Sequence, residues 1–311
     1  CDWSSDVCSS DLTAVVVARA QPLMPMSMPM PMPILRADQL VLRLGARTLL
    51  QQADLTLRAG QMYGLLGANG VGKTTLIRTL AGLQPASSGQ ILLQGQPLSA
   101  HSAMQRARLR AVLLQQDDSV FWGSTLDYVL LGGNRGNRDN RDINRDINRD
   151  NSNTLQARAL DLLQELELQR HATADLRQLS GGERQRARLA QTLLQGSPLL
   201  LLDEPLTHLD LRQQALVLSA LRRRVDAGAC VLLSLHEPAL ARHTCEQVVF
   251  LYDPARFDGE REAPLHSGLR AGPAPALLTP TELQLVYDCQ LDADLRPVHA
   301  GLVASPVHSS S

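Results

Sequence analysis

Gly67-Ala68-Asn69-Gly70-Val71-Gly72-Lys73-Thr74-Thr75 fits the pattern G-x-x-x-x-G-K-[ST]. Its glycines let the backbone curl until successive N–H groups face one phosphate group. Lys73 can then reach the β- and γ-phosphates, and the Thr74 hydroxyl can ligate Mg²⁺. At an average glycine usage of ~7 %, chance produces this pattern in roughly one chain of this length in a hundred. Here a strand pattern, Gln61–Leu66, runs into it and a helix pattern, Thr74–Leu83, follows. That is the context a phosphate-binding loop requires.

Working outward, Leu199-Leu200-Leu201-Leu202 ends in Asp203-Glu204-Pro205. Four apolar residues closed by two carboxylates match a buried parallel strand whose tip enters a ligand crevice. Cys230–Leu235 is a second buried-strand pattern, ending at His236, and Ala111–Leu114 is a third, ending at Gln115 with Gln116 as the competing assignment. Between the acid pair and the phosphate loop lies Leu179-Ser180-Gly181-Gly182-Glu183-Arg184-Gln185-Arg186. Ser180 is a good N-cap for a helix running to about Leu194, and a helix start is a natural anion site.

That octet resembles the signature motif of the ATP-binding cassette (ABC) ATPases, and the other motifs stand around it in that family's order. The resemblance covers roughly Ile34 to Leu251. It implies an α/β fold: a P-loop, RecA-like core with an antiparallel β-subdomain and a helical subdomain near 116–179. It implies ATP and Mg²⁺ as cofactors, with Gly67, Asn69, Gly70, Gly72, Lys73, Thr74 and Thr75 holding nucleotide. Thr74, Gln115 and Asp203 would hold the metal. Glu204 would polarise the attacking water as general base, with His236 on the γ-phosphate and Gln115 touching metal and water. Ser180, Gly181 and Gly182 would contact ATP held by a second copy, and the Thr207–Asp210 loop, ending at Asp210, would link the two sites.

The resemblance further implies transmembrane permease subunits as partners, a periplasmic or extracellular binding protein indirectly, and no nucleic acid. The chain would then sit peripherally on the cytoplasmic side of the bacterial inner (plasma) membrane. Phe121–Tyr128 falls where a permease docks, and interfaces favour aromatic anchors; a helical core would also use these aromatics. Phe121–Gly132, Thr207–Gln214 and the Leu278–Tyr287 ending are most like ATPases of iron–siderophore, haem and vitamin B12 (cobalamin) importers. An exporter ATPase and a non-transporting ABC scaffold or regulatory ATPase are the alternatives. One position departs from the family: Leu44 stands where an aromatic usually stacks on adenine, which lowers the expected stacking.

The remaining sequence sets bounds. The 311 residues are 44 % hydrophobic and 20 % charged with net charge −1, neither a disordered composition nor a general nucleic-acid binder. Aromatics at 3 % argue against a base-stacking surface, and no apolar run reaches the ~20 residues of a membrane helix. Cys1–Leu12 resembles a translated sequencing adapter and is set aside with two cysteines. Cys230, Cys245 and Cys289 lack metal-ligand spacing and read as reduced thiols. The Met-Pro alternation of Pro22–Pro33 completes a disordered leader, 1–33. The Asn-Arg-Asp repeat, 134–153, reads as a disordered insertion, after which Thr154 caps an amphipathic helix through Leu166. Residues 253–311 form a C-terminal extension beyond the 34–252 ATPase domain, with a capping box at Thr279-Pro280-Thr281-Glu282.

Overall fold

The computed structural model describes residues 33–115, 121–133, 145–253 and 267–287, with 289, 292 and 295. Residues 1–32 of the leader and residues 134–144 of the 134–153 repeat lie outside the described residues. In chain order the elements are β1 (Pro33–Leu44), β2 (Arg47–Arg58), β3 (Met62–Leu66), α1 (Lys73–Leu80), β4 (Ser88–Leu93), β5 (Gln96–Pro97), α2 (Ala103–Leu109), β6 (Arg110–Leu113) and α3 (Thr125–Leu130). Then come α4 (Arg145–Glu165), α5 (Gly181–Leu194), β7 (Leu199–Leu202), α6 (Leu211–Asp226), β8 (Cys230–Ser234), α7 (Pro238–Thr244), β9 (Gln247–Leu251), β10 (Leu269–Pro273), α8 (Ala274–Leu277) and α9 (Pro280–Tyr287).

Two sheets organise them. A six-stranded sheet has the order β10-β9-β3-β8-β7-β6, and a four-stranded sheet has the order β2-β1-β4-β5. In the first, all pairs are parallel except β10 on β9. The second is antiparallel throughout.

The parallel strands are apolar almost throughout, Arg110, Ser234 and Gln247 apart, because both faces are covered. Successive side chains point to opposite faces, so each strand feeds two cores. Leu199, Leu201, Cys230, Leu232, Tyr63 and Leu65 join α1 and the antiparallel sheet. Leu200, Leu202, Val231, Leu233, Met62 and Leu66 join α3–α7 and the C-terminal helices. Gly64 lies where α7 crosses the sheet: a Cβ there would lie 3.2 Å from the Cys245 sulfur and 3.3 Å from the Ala241 Cβ.

The helical subdomain is α3, α4 and α5 packed on one another. Ala159, Leu162, Leu163 and Leu166 of α4 are buried at helical spacing. The start expected at Thr154 is corrected to Arg145, so the latter part of the repeat is helical rather than irregular. Once the packed turns pay the nucleation cost, extension adds a hydrogen bond per residue and runs past the apolar face. Strand β2 reaches from Arg47 to Arg58 with irregular register against β1. Cys230 and Cys245 are free thiols pushed up by burial, Cys245 to about 11.

Gly132 sits against α5 so closely that an added Cβ would overlap the Gln191 carbonyl oxygen. Gly132→Ala must push the α3 end off a backbone that cannot yield. Urea denaturation of this variant is expected to show a loss of about 1–3 kcal/mol.

Candidate functional site

Four parallel strands deliver the site at their carboxyl ends. β3 ends at the phosphate loop, β6 leads to Gln115, β7 to Asp203 and Glu204, and β8 to Ser234 and His236. The register places Leu113 beside Leu202, Leu202 beside Leu233 and Leu65 beside Ser234, so the strand tips arrive level. Ligands of open α/β sheets bind outside such ends. A cleft of about 580 Å³ opens there, lined by Leu44, Asn69, Gly70, Gly72, Lys73, Thr74, Thr75, Gln115, Glu204 and His236.

The loop's curl depends on glycine at two positions. Gly70 and Gly72 have φ of 71° and 117°, which side chains rarely adopt, and a Cβ on Gly72 would lie 2.9 Å from Leu49. Gly72 is also the N-cap of α1, so the free N–H groups of the first turn belong to the same loop. Lys73 is buried, and its ammonium donates to the carbonyls of Gly67 at 2.7 Å and Ala68 at 3.2 Å. Burial lowers its pKa, opposed by the carboxylates of Glu204 and Asp203.

Asp203 is 1 % exposed, yet both carboxylate oxygens are satisfied. Thr74 Oγ1 donates to Oδ2 at 2.6 Å and Ser234 Oγ donates to Oδ1 at 2.9 Å. The Glu204 N–H donates back to Ser234 Oγ at 2.6 Å. Glu204 itself has φ of 50°, an unfavourable angle for a side-chain-bearing residue of the kind found at functional sites. Gln115 Nε2 donates to its Oε2 at 2.7 Å, Thr207 Oγ1 donates to the same oxygen at 3.2 Å, and His236 Nε2 lies 3.0 Å from Oε1. Gln115 therefore stands at the cleft; Gln116, the competing assignment, lies outside the described residues.

Ser180, Gly181, Gly182 and Asp210 do not line this cleft. Ser180 caps α5 in a capping box: its Oγ accepts from Glu183 N at 3.3 Å, and its own N–H donates to Glu183 Oε2 at 2.9 Å. Hydrogen bonds from the Ser180 backbone and hydroxyl hold the Glu183 carboxyl below the usual range. Asp210 is the N-cap of α6, accepting from Gln213 N at 2.8 Å. The two caps are neighbours, since a Cβ on Gly182 would approach the His208 carbonyl to 3.0 Å and Gln213 Oε1 to 2.9 Å. Ser180, Gly181, His208, Asp210 and Leu211 form an exposed rim there, Leu211 at 83 %.

The phosphate loop, the acid pair on the next strand but one, and the capped glycine pair all fall within the span of one family model. The ABC transporter family model covers residues 50–207. The chain belongs to the ABC transporter family, and it is an ABC-type ATPase. It is 34 % identical over 279 residues to "Hemin import ATP-binding protein HmuV" of Streptomyces coelicolor, spanning 88 % of this chain and 90 % of that one. Identity to the protein of the same name from Pseudomonas fluorescens is 37 % over 228 residues, 70 % of this chain and 83 % of the relative. Among solved structures, a metal-chelate type ABC transporter in an inward-facing conformation shares the fold at TM-score 0.68 and 23 % identity, over 88 % of this chain and all of that one. Among the described residues of this ABC ATPase, no helix is long and apolar enough to cross a membrane.

Ser234 is the site residue that sequence reasoning missed. A serine at the end of an apolar strand carries no signal until the strand is set beside Asp203. Ser234→Ala removes the donor to a buried carboxylate and the acceptor for Glu204 N. It is expected to lower unfolding stability by about 1–3 kcal/mol, measured by denaturant titration of the nucleotide-free protein.

Proposed function

We propose that this chain is the ATP-hydrolysing subunit of an importer for haem or a related metal chelate, working as a pair of copies beneath transmembrane permease subunits. The observation that carries the ATPase chemistry is the convergence of Gln115, Thr207 and His236 on the Glu204 carboxylate at the mouth of the phosphate-loop cleft. The cargo class rests on the relatives' names.

Phosphoryl transfer asks the protein for positioning and charge stabilisation more than covalent chemistry. Lys73 exchanges its loop carbonyls for phosphate oxygens, and the loop N–H groups close on the same group. Thr74 Oγ1 and Asp203 Oδ2 are hard oxygens 2.6 Å apart, the donor class that Mg²⁺ takes alongside phosphate and water. Bound there, Mg²⁺ supplies charge neutralisation at the transferring phosphate. The Gln115 amide nitrogen is engaged by Glu204, which leaves its oxygen as the end able to ligate the ion. Glu204 takes the proton of the attacking water, whose oxygen bonds to the γ-phosphorus as the bond to ADP breaks. His236, beside Glu204, holds the γ-phosphate side of that arrangement.

Ser180–Gly182 lie outside their own chain's cleft and on an exposed rim, so they serve ATP only from a second copy. The exposed apolar Leu211 beside them supports such pairing. Trp122, 73 % exposed, is held rigid by Arg177 stacked 3.8 Å from its ring, and Asp175 clamps Arg177 in turn. That platform supports permease docking at 121–132, on the cytoplasmic face of the membrane.

Two outcomes test this. Lys73→Ala is expected to lose ATP binding or turnover by at least ~100-fold, since a buried charge-assisted contact disappears; wild-type turnover in a steady-state assay refutes the site. Glu204→Gln keeps the shape but accepts no proton, so it is expected to bind ATP–Mg²⁺, stop hydrolysis and accumulate as a dimer on size-exclusion chromatography. Adding Ser180→Arg should dissolve that dimer while nucleotide still binds at Lys73. Dimerisation of Glu204→Gln without nucleotide refutes the ATP-dependent pairing.

A further inference from the structure

Two donors at the start of α5 are spent on the chain itself. Ser180 donates its N–H to Glu183 Oε2 at 2.9 Å and its hydroxyl to the same oxygen at 2.8 Å. A serine hydroxyl has one proton to give, so in this arrangement Ser180 keeps no donor for an outside anion. The Glu183 carboxylate sits in the place that a helix start offers to an anion. A phosphate arriving at the rim must displace it.

The second carboxylate oxygen faces a different residue. Glu183 Oε1 lies 3.1 Å from His171 Nε2. That ring nitrogen is buried, yet the contact is out of line for a hydrogen bond, and no other partner serves the nitrogen among the described residues. Buried polar atoms without a hydrogen bond are uncommon and costly, so this one calls for a reason. The ring is held in place from its own backbone. His171 ends a single 3₁₀ turn, Gln169–His171, and its N–H donates to the Leu168 carbonyl at 2.9 Å. The residues that follow are pinned to α3, where Leu126 N donates to the Ala172 carbonyl and Thr125 N to the Ala174 carbonyl, each at 2.9 Å. His171 is thus the fixed member of the pair, and the longer, flexible Glu183 side chain is the one that can move.

We propose that His171 is a positioning residue for Ser180, its Nε2 receiving the Glu183 carboxylate when the γ-phosphate of ATP on a second copy takes the two Ser180 donors. The inference rests on the reading of Ser180–Gly182 as the contact to ATP held by that copy. A small turn of the carboxylate brings Oε1 into line with the ring N–H and frees the Ser180 N–H and hydroxyl proton. The helix stays capped, because Ser180 Oγ still accepts from Glu183 N at 3.3 Å. Without His171 the displaced carboxylate has no receiver, and its charge stays beside an incoming phosphate of the same sign. Pairing of the copies then needs more ATP, while the phosphate loop, elsewhere in the chain, binds nucleotide as before.

The test uses the full chain carrying Glu204→Gln as the parent, with Mg-ATP titrated and the dimer followed by size-exclusion chromatography. His171→Leu is expected to raise the ATP concentration for half-maximal pairing roughly three- to tenfold, the worth of one hydrogen bond. His171→Gln keeps an N–H donor at a similar reach and is expected to stay within about twofold of the parent. With Glu183→Gln also present no charge has to be received, so His171→Leu is then expected to shift pairing by less than about twofold. Pairing of His171→Leu at the parent's ATP concentration overturns the inference. So does an equal shift in the Glu183→Gln background, or a loss in His171→Gln as large as in His171→Leu. If the parent's dimer survives Ser180→Arg, the reading of Ser180 as the contact between copies fails first, and this inference with it.

Discussion

The charge on Asp203 is the constraint on which the rest of the structure depends. A carboxylate 1 % exposed at the tip of a central strand is tenable only if its lone pairs are taken. Thr74 arrives from α1 and Ser234 from β8, so satisfying one buried anion fixes three elements against one another. The same serine then accepts from Glu204, which orients the following carboxylate into the cleft at a strained φ. Shifting any of the three elements would leave a buried acceptor unpaired, a cost comparable to a large share of a domain's net stability. The phosphate loop inherits its position from this arrangement, because Lys73 and Thr74 begin the helix that carries the tie.

A second buried charge is managed differently. Among the described residues Lys73 has no carboxylate at hydrogen-bond distance, and it instead donates to two carbonyls of its own loop. Those bonds keep the loop curled and the cation satisfied with protein atoms alone. Phosphate oxygens offer stronger, charged acceptors for the same ammonium, so nucleotide replaces an internal contact rather than creating a charge in a dry site. The desolvation that lowers the Lys73 pKa makes the exchange more favourable, because a poorly hydrated cation has little water to lose.

The sequence makes the short-range parts of this legible. Leu199–Leu202 is a strand over the same four residues in both, since an apolar run closed by carboxylates admits few alternatives. The caps at Ser180 and Thr279 read correctly because an N-cap bond spans only three residues. What the chain order conceals are partners distant in sequence, such as Ser234 for Asp203 across 31 positions. Element ends were also hidden wherever packing overrode pattern. α4 begins at Arg145 because a helix nucleated on its buried face continues through residues that would not start one. β2 was obscured because adjacent Leu49 and Leu50 break the alternation at an irregular register with β1.

The phosphate-loop cleft and the capped rim at Ser180 are built with opposite exposure, and this has a physical reason. Lys73, Asp203 and Ser234 are buried, so they must be satisfied within one chain and can be assembled before any partner arrives. Ser180 and Gly181 are exposed, and the N–H groups of their helix start need no internal acceptor because water reaches them. Such donors lose little by waiting and gain an anion's charge when one is presented to the helix terminus. Gly182 is pinned to the His208 carbonyl and Gln213, so this rim moves with the loop that leads from Glu204 to Asp210. Glu204 begins that loop and Thr207 within it donates to its carboxylate, so a shift at this carboxylate is carried directly to the exposed rim. The helices meet the same carboxylate from its other side, since Arg188 of α5 donates to the Leu114 carbonyl at 2.5 Å, next to Gln115. A change at one carboxylate is thereby linked both to the exposed rim and to α5 through short chains of hydrogen bonds.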